Sequence, residues 1–186
     1  MKKLFFHKTH LSVLLILICC GVSVAQARYQ LTNSSVMFFS EAPLENIEAK
    51  NKDTKGIIDI SARTFTIRMP IKSFVFEKSL MQEHFNENYM ESAKYPNATF
   101  KGAIDGKYDL KKNGSYPVTA TGELDIHGVK QKRTIQAIIE VKDKSIKLTS
   151  KFKVRLEDHK IEIPTLVFNK IAEELDVTLE SDLINM

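Results

Sequence analysis

Cysteine is almost missing from this chain. Its 186 residues hold only Cys19 and Cys20, side by side in an apolar run near the start. That run, Leu11 to Val24, is about 14 residues long, whereas a membrane-spanning helix needs roughly 20. It follows the positive Lys2, Lys3 and Lys8 and ends in Ala25-Gln26-Ala27. A charged start, a short apolar core and a small-residue exit make residues 1–27 a secretory signal peptide rather than a retained anchor. Lipid attachment at Cys20 is disfavoured because Ile18 stands where a small residue would be wanted. Cleavage after Ala27 would remove both cysteines. The remaining domain, 28–186, would then hold no disulfide, thiolate metal site or cysteine nucleophile, and would rest on its core alone.

Net charge is also scarce. The chain carries 27 Lys plus Arg against 23 Asp plus Glu. Lys2, Lys3 and Lys8 leave with the leader, so the mature part has 24 against 23, a balance of +1. The basic character belongs largely to the signal, and with it goes the electrostatic case for nucleic acid as a partner. No linker rich in Pro, Gly or Ser and no internal repeat divides the remainder, which reads as one domain. Enzyme signatures are missing as well. There is no G-x-S-x-G elbow, no phosphate-binding glycine loop and no metal-ligand spacing among His84, His127 and His159. The carboxylates Glu83, Glu87, Glu91, Glu173 and Glu174 read as solvated faces. No catalytic residue, metal or cofactor is assigned.

What the chain does have is alternation with period two, the mark of strands with one buried face. In Ser145 to Glu157, Ile146, Leu148, Ser150, Phe152, Val154 and Leu156 share one face, and charged or polar residues fill the other. Val118 to Ile126 and Thr134 to Val141 repeat the pattern, and Asp143-Lys144 is short enough for a hairpin turn. Further strands are expected at Gln30–Phe39, Lys55–Ser61, Thr64–Phe76, Ala98–Leu110 and Asp176–Glu180. The expected fold is all-β: an antiparallel barrel or sandwich of about eight strands, with one or two short flanking helices. One helical stretch is Ser79 to Ala93, with Ser79 as its N-cap, Glu83 near the first turn, and an end before Pro96. Another is Thr165 to Glu174, after Pro164. Small inward residues (Ala120, Gly122, Ala137, Ser150) leave two outcomes open, a filled core or a barrel with room for one ligand.

Two stretches are distinctive in combination. One runs from Phe74 to Gly102 and contains Tyr95-Pro96-Asn97-Ala98-Thr99-Phe100. The other is Gly122-Glu123-Leu124-Asp125-Ile126-His127-Gly128-Val129. In this order and spacing they resemble the YceI-like family of exported proteins, and the resemblance runs from about Tyr29 to Leu179. It implies a lipocalin-like antiparallel barrel with an elongated apolar pocket that binds isoprenoid chains without catalysis. Relatives can pair, so a homodimer stays open. The better-known branch carries an Arg-Asp pair ahead of a His-Leu where this chain reads Gln82-Glu83-His84-Phe85.

The candidate ligand site follows. Leu124, Ile126, Ile139, Leu148 and Phe152 would form the wall, and Phe74, Phe76, Leu80, Phe85, Tyr89, Tyr95 and Phe100 the mouth or upper wall. Ordinary aromatic packing would account for the same residues. Phe74 and Phe76 differ in parity from Phe65, Ile67, Met69 and Ile71, so a bulge is expected near Pro70 to Ser73. His127 lies on the outward face before Gly128, where it ties down a turn or contacts a ligand head group. The expected function is an exported, non-catalytic carrier of an isoprenoid- or lipid-like molecule, periplasmic or secreted, with no stable membrane anchor after cleavage. The alternative is a filled barrel that acts through its surface.

Overall fold

The computed structural model describes residues 27–164 and 170–186. Among the described residues, ten strands form one antiparallel sheet. They are β1 (Arg28–Glu41), β2 (Asn46–Asn51), β3 (Lys55–Asp59), β4 (Thr64–Pro70), β5 (Phe74–Phe76), β6 (Asn97–Gly106), β7 (Gly114–Ile126), β8 (Val129–Lys142), β9 (Ser145–Arg155) and β10 (Glu174–Asn185). Eight of them close a ring in the order β1-β10-β9-β8-β7-β6-β4-β3, with β3 returning to β1. These are the eight strands expected from alternation. The other two extend one end of the barrel: β2 pairs with the far half of β1, Val36 to Glu41, and β5 pairs with β2.

The inward face follows the sequence pattern. Ile146, Leu148, Ser150, Val154 and Leu156 are buried, as are Val118, Leu124, Ile135, Ala137, Ile139 and Val141. All the apolar ones but Leu156 lie in one core inside the ring, together with Phe65, Ile67, Phe100 and the inward residues of β1 and β10. Two tight hairpins close β7–β8 and β8–β9 at His127-Gly128 and Asp143-Lys144. All four turn residues have positive φ, between 48° and 73°, as a type I′ turn requires. In β1 the left-handed Asn33 coincides with a register shift against β10 between Thr32 and Ser35, a bulge.

Several boundaries differ from the sequence reading. The expected strand Thr64–Phe76 is interrupted, and a single turn of 3-10 helix at Ile71–Ser73 takes the place of the bulge. The Ile71 amide donates to the Pro96 carbonyl at 2.9 Å, and the turn re-aims Phe74 into the core at 6 % exposure. β6 stops at Gly106, whose φ of 144° only glycine tolerates easily, so Leu110 lies in a loop. Strand β9 yields at Glu157 to a short 3-10 turn.

The first helical stretch is a six-residue α-helix, α1 (Ser79–His84), followed by a π turn at Phe85–Tyr89. Lys78, not Ser79, occupies the N-cap position, and no side chain caps the helix. Glu83 lies beyond the first turn. Of the second expected helix, residues 165–169 lie outside the described residues, and Glu174 already belongs to β10.

Candidate functional site

A cavity of about 550 Å³ lies at the α1 end of the barrel. Strand side chains build its wall: Val36 and Phe38 from β1, Met69 from β4, Leu124 and Ile126 from β7, Phe152 and Val154 from β9, and Leu175 and Val177 from β10. These positions alternate along their strands, so the pleat alone delivers them to the inside. Phe74, Phe76, Leu80, Met81, Phe85 and Tyr89 cover the end of the ring. A second small core of Ile71, Met90, Ala98, Leu156 and Ile161 closes one side.

Aromatic packing holds this end together. The Phe85 ring lies 5.0 Å from Phe76, 5.6 Å from Phe74 and 5.7 Å from Phe38. Phe38 also meets Phe74 at 5.4 Å. Such pairs add about 0.5–1.5 kcal/mol each beyond their area burial. The helix itself is lightly attached, with no buried residue among Ser79–His84. The Phe76 amide donates to Gln82 Oε1 at 3.2 Å, and Asn86 Nδ2 donates to the Gln82 carbonyl at 2.8 Å. Gln82, one of the residues that sets the tetrad apart from the better-known branch, thus fastens α1 to β5.

The cavity's charged lining gathers at one rim. Lys78 Nζ donates to Glu45 Oε1 at 2.6 Å, and Lys170 stands close enough to act on the same carboxylate. The hydrogen bond from Lys78 holds the Glu45 carboxyl below the usual carboxylate range, and Glu45 in turn raises the Lys78 ammonium. Both charges persist at neutral pH. His84 lines the cavity too, and Leu80 beside it is 60 % exposed, so this rim meets solvent. Burial raises the pKa of the Tyr89 phenol, which stays a neutral hydroxyl in the wall. Ser40, the remaining polar lining residue among the described residues, already accepts a hydrogen bond from the Ala172 amide at 2.8 Å.

The sequence candidates divide into three groups. Phe74, Phe76, Leu80, Phe85, Tyr89, Leu124, Ile126 and Phe152 line the large cavity. Phe100 and Leu148 line a separate void of about 60 Å³ deeper in the barrel, which Leu124 and Phe152 also border. Ile139, Tyr95 and His127 line neither. Ile139 is fully buried in the filled part of the core. Phe38, Val36, Met69, Val154 and Val177 were not among the candidates. Strand parity was the available signal for Phe38, which shares its face of β1 with Val36 and Ser40.

His127 serves the turn instead of the cavity. Its Nδ1 lies 3.3 Å from the His159 carbonyl and its Nε2 lies 2.8 Å from Glu91 Oε2. The Tyr95 ring meets it edge-on at 4.6 Å. A Cβ on Gly128 would come within 2.5 Å of that same tyrosine ring. The Tyr-Pro and His-Gly stretches, some thirty residues apart, therefore form one knot that pins the β7–β8 hairpin to the connection after α1.

The YceI-like domain model matches residues 28–183. The chain belongs to the YceI-like family. No curated protein sequence matches it. Solved structures show the shared YceI-like barrel. A polyisoprenoid-binding domain from Saccharophagus degradans, implicated in plant cell wall breakdown, is 18 % identical. It covers 87 % of this chain and 99 % of its own, with a TM-score of 0.73. BcnA of Burkholderia cenocepacia is 16 % identical over 80 % of this chain and 95 % of its own, with a TM-score of 0.66. The YceI protein of Campylobacter jejuni is 20 % identical over 78 % and 88 %, with a TM-score of 0.59. At these identities the likeness is one of fold.

Proposed function

We propose that this YceI-like protein is exported and carries one apolar molecule, isoprenoid- or lipid-like, in the cavity at the α1 end, without catalysis. One observation carries this reading: a cavity of about 550 Å³ with an apolar wall and its charged residues confined to the rim. An amphiphile fits that distribution, tail inside and head beside Glu45, Lys78 and Lys170. Each methylene transferred from water to such a wall gains about 0.8 kcal/mol, so affinity needs few polar contacts. The Saccharophagus relative is a polyisoprenoid-binding domain, which agrees with this chemistry. The filled-barrel alternative suits only the interior beneath this cavity, where the void is about 60 Å³.

Binding is tested on delipidated protein with the apolar fluorophore diphenylhexatriene. Saturation at one dye per chain, reversed by farnesol, is the expected result. Dye uptake without saturation, or dye that farnesol does not displace, would contradict it. Export is supported by the leader and by the coincidence of the start of β1 with residue 28 of the family match. Intact-mass analysis of the extracytoplasmic fraction should find a chain beginning at Arg28. Full-length protein confined to the cytoplasm would contradict export.

A further inference from the structure

The cavity has a floor as well as a wall. Val36, Met69, Leu124 and Phe152 border both the large cavity and the small void beneath it. Val36 and Leu124 are 3 % and 1 % exposed, fixed in the core. Phe152 differs from them. Its neighbours on the same face of β9, Ser150 and Val154, are buried, whereas Phe152 keeps accessible surface. An inward ring can expose surface only to the space inside the barrel. Below it, Ala120, Ala137 and Ser150 line the small void, and the Phe65 and Phe100 rings, 4.7 Å apart, close off its side.

We propose that this floor makes the barrel a chain-length ruler: it accepts a single apolar chain of moderate length, and Phe152 sets where the chain ends. The proposal rests on the reading of the cavity as a ligand site and deepens it. A methylene needs slightly less room than the 30 Å³ or so of a liquid water, so the cavity holds on the order of 15–20 carbons. The charged groups stand at the opposite end from the floor, so the tail enters first and its tip meets Phe152. A longer chain must leave its surplus outside the apolar wall, where it gains nothing from the protein. The small residues under Phe152 mean that the side chain, not the backbone, is the stop. Volume alone is measured, so a branched prenyl chain and a straight acyl chain of equal volume meet the same limit.

The test compares two series on delipidated protein, each competing with diphenylhexatriene: straight-chain primary alcohols, and the prenols geraniol, farnesol, geranylgeraniol and solanesol. Affinity should climb with chain length up to geranylgeraniol, and to alcohols of roughly 15–20 carbons, and climb no further. Phe152→Ala joins the two spaces and frees on the order of 100 Å³ of ring volume, so its limit should move up by about five carbons. Val154→Phe fills the large cavity instead of emptying the core, and should move the limit down. It keeps the test open if the first variant folds poorly, and a cooperative melt verifies each variant. Affinity that keeps rising through solanesol, or a limit unmoved in both variants, would overturn the ruler. Failure of every member of both series to displace the dye would instead overturn ligand occupancy itself.

Discussion

At the scale of single residues, the knot around His127 is structural, and its energetics can be separated from binding. The side chain is largely buried, with two acceptors facing its two ring nitrogens. His127→Ala should cost about 1–2 kcal/mol in urea unfolding while leaving dye affinity unchanged. A large loss of affinity without loss of stability would return His127 to a head-group role. His159 makes a second prediction. It is wholly buried, its Nδ1 donates to the Val129 carbonyl at 3.1 Å, and its Nε2 has no partner among the described residues. Burial pushes its pKa below the ordinary 6.5, against the opposing pull of the Val129 carbonyl. The unfolded chain therefore takes up a proton near pH 6.5 that the folded chain refuses. Stability is full above that pH and falls as pH drops through it toward the lower folded value. Urea midpoints between about pH 8 and 5 should fall less steeply in His159→Gln than in the parent. Parity along β7 already marks His127 as outward in the sequence. Its partners Glu91 and His159 lie 36 and 32 residues away and become neighbours only once the barrel closes.

At the scale of elements, α1 and the glycine pair of β6 and β7 stand at opposite ends of the stability range. Gly102 and Gly122 face each other across the two strands, so close that a Cβ on either would enter the backbone of the other strand. Gly102→Ala should lower stability by about 2–4 kcal/mol, or prevent folding, measured by thermal melting. Helix α1 has no buried side chain and no side-chain cap, and it depends on Gln82 and on the Lys78–Glu45 pair. Its amides should exchange within the fast phase of hydrogen exchange and slow markedly when farnesol is bound. Equal protection with and without ligand would show that α1 takes no part in covering the site. The ring strands were legible because their apolar residues recur every second position over long runs. β2 was not: Ile47 and Ala49 are its only apolar residues, and its buried end is Asn51, which donates to the Pro70 carbonyl at 2.7 Å. The turn at Ile71–Ser73 was legible only as a break in parity, since both a bulge and a 3-10 turn correct the phase.

At the scale of the whole molecule, the eight alternating strands could have closed as a barrel or stacked as a sandwich. The choice is made by pairing of β1 with β10, residues about 150 apart in sequence, as in Thr32 with Asp182. No local pattern encodes that contact, and before the structure only the family resemblance pointed to it. The small inward residues also proved a poor guide to free space. Ala120, Ala137 and Ser150 border the lesser void, while the candidate ligand cavity lies under aromatic side chains at the α1 end. A carrier function requires that cavity to be occupied. Native mass spectrometry of the protein, purified from its own source without detergent or organic solvent, tests this directly. One hydrophobic molecule per chain, lost on solvent extraction, is the expected result. Apo protein alone in repeated gentle preparations would contradict it.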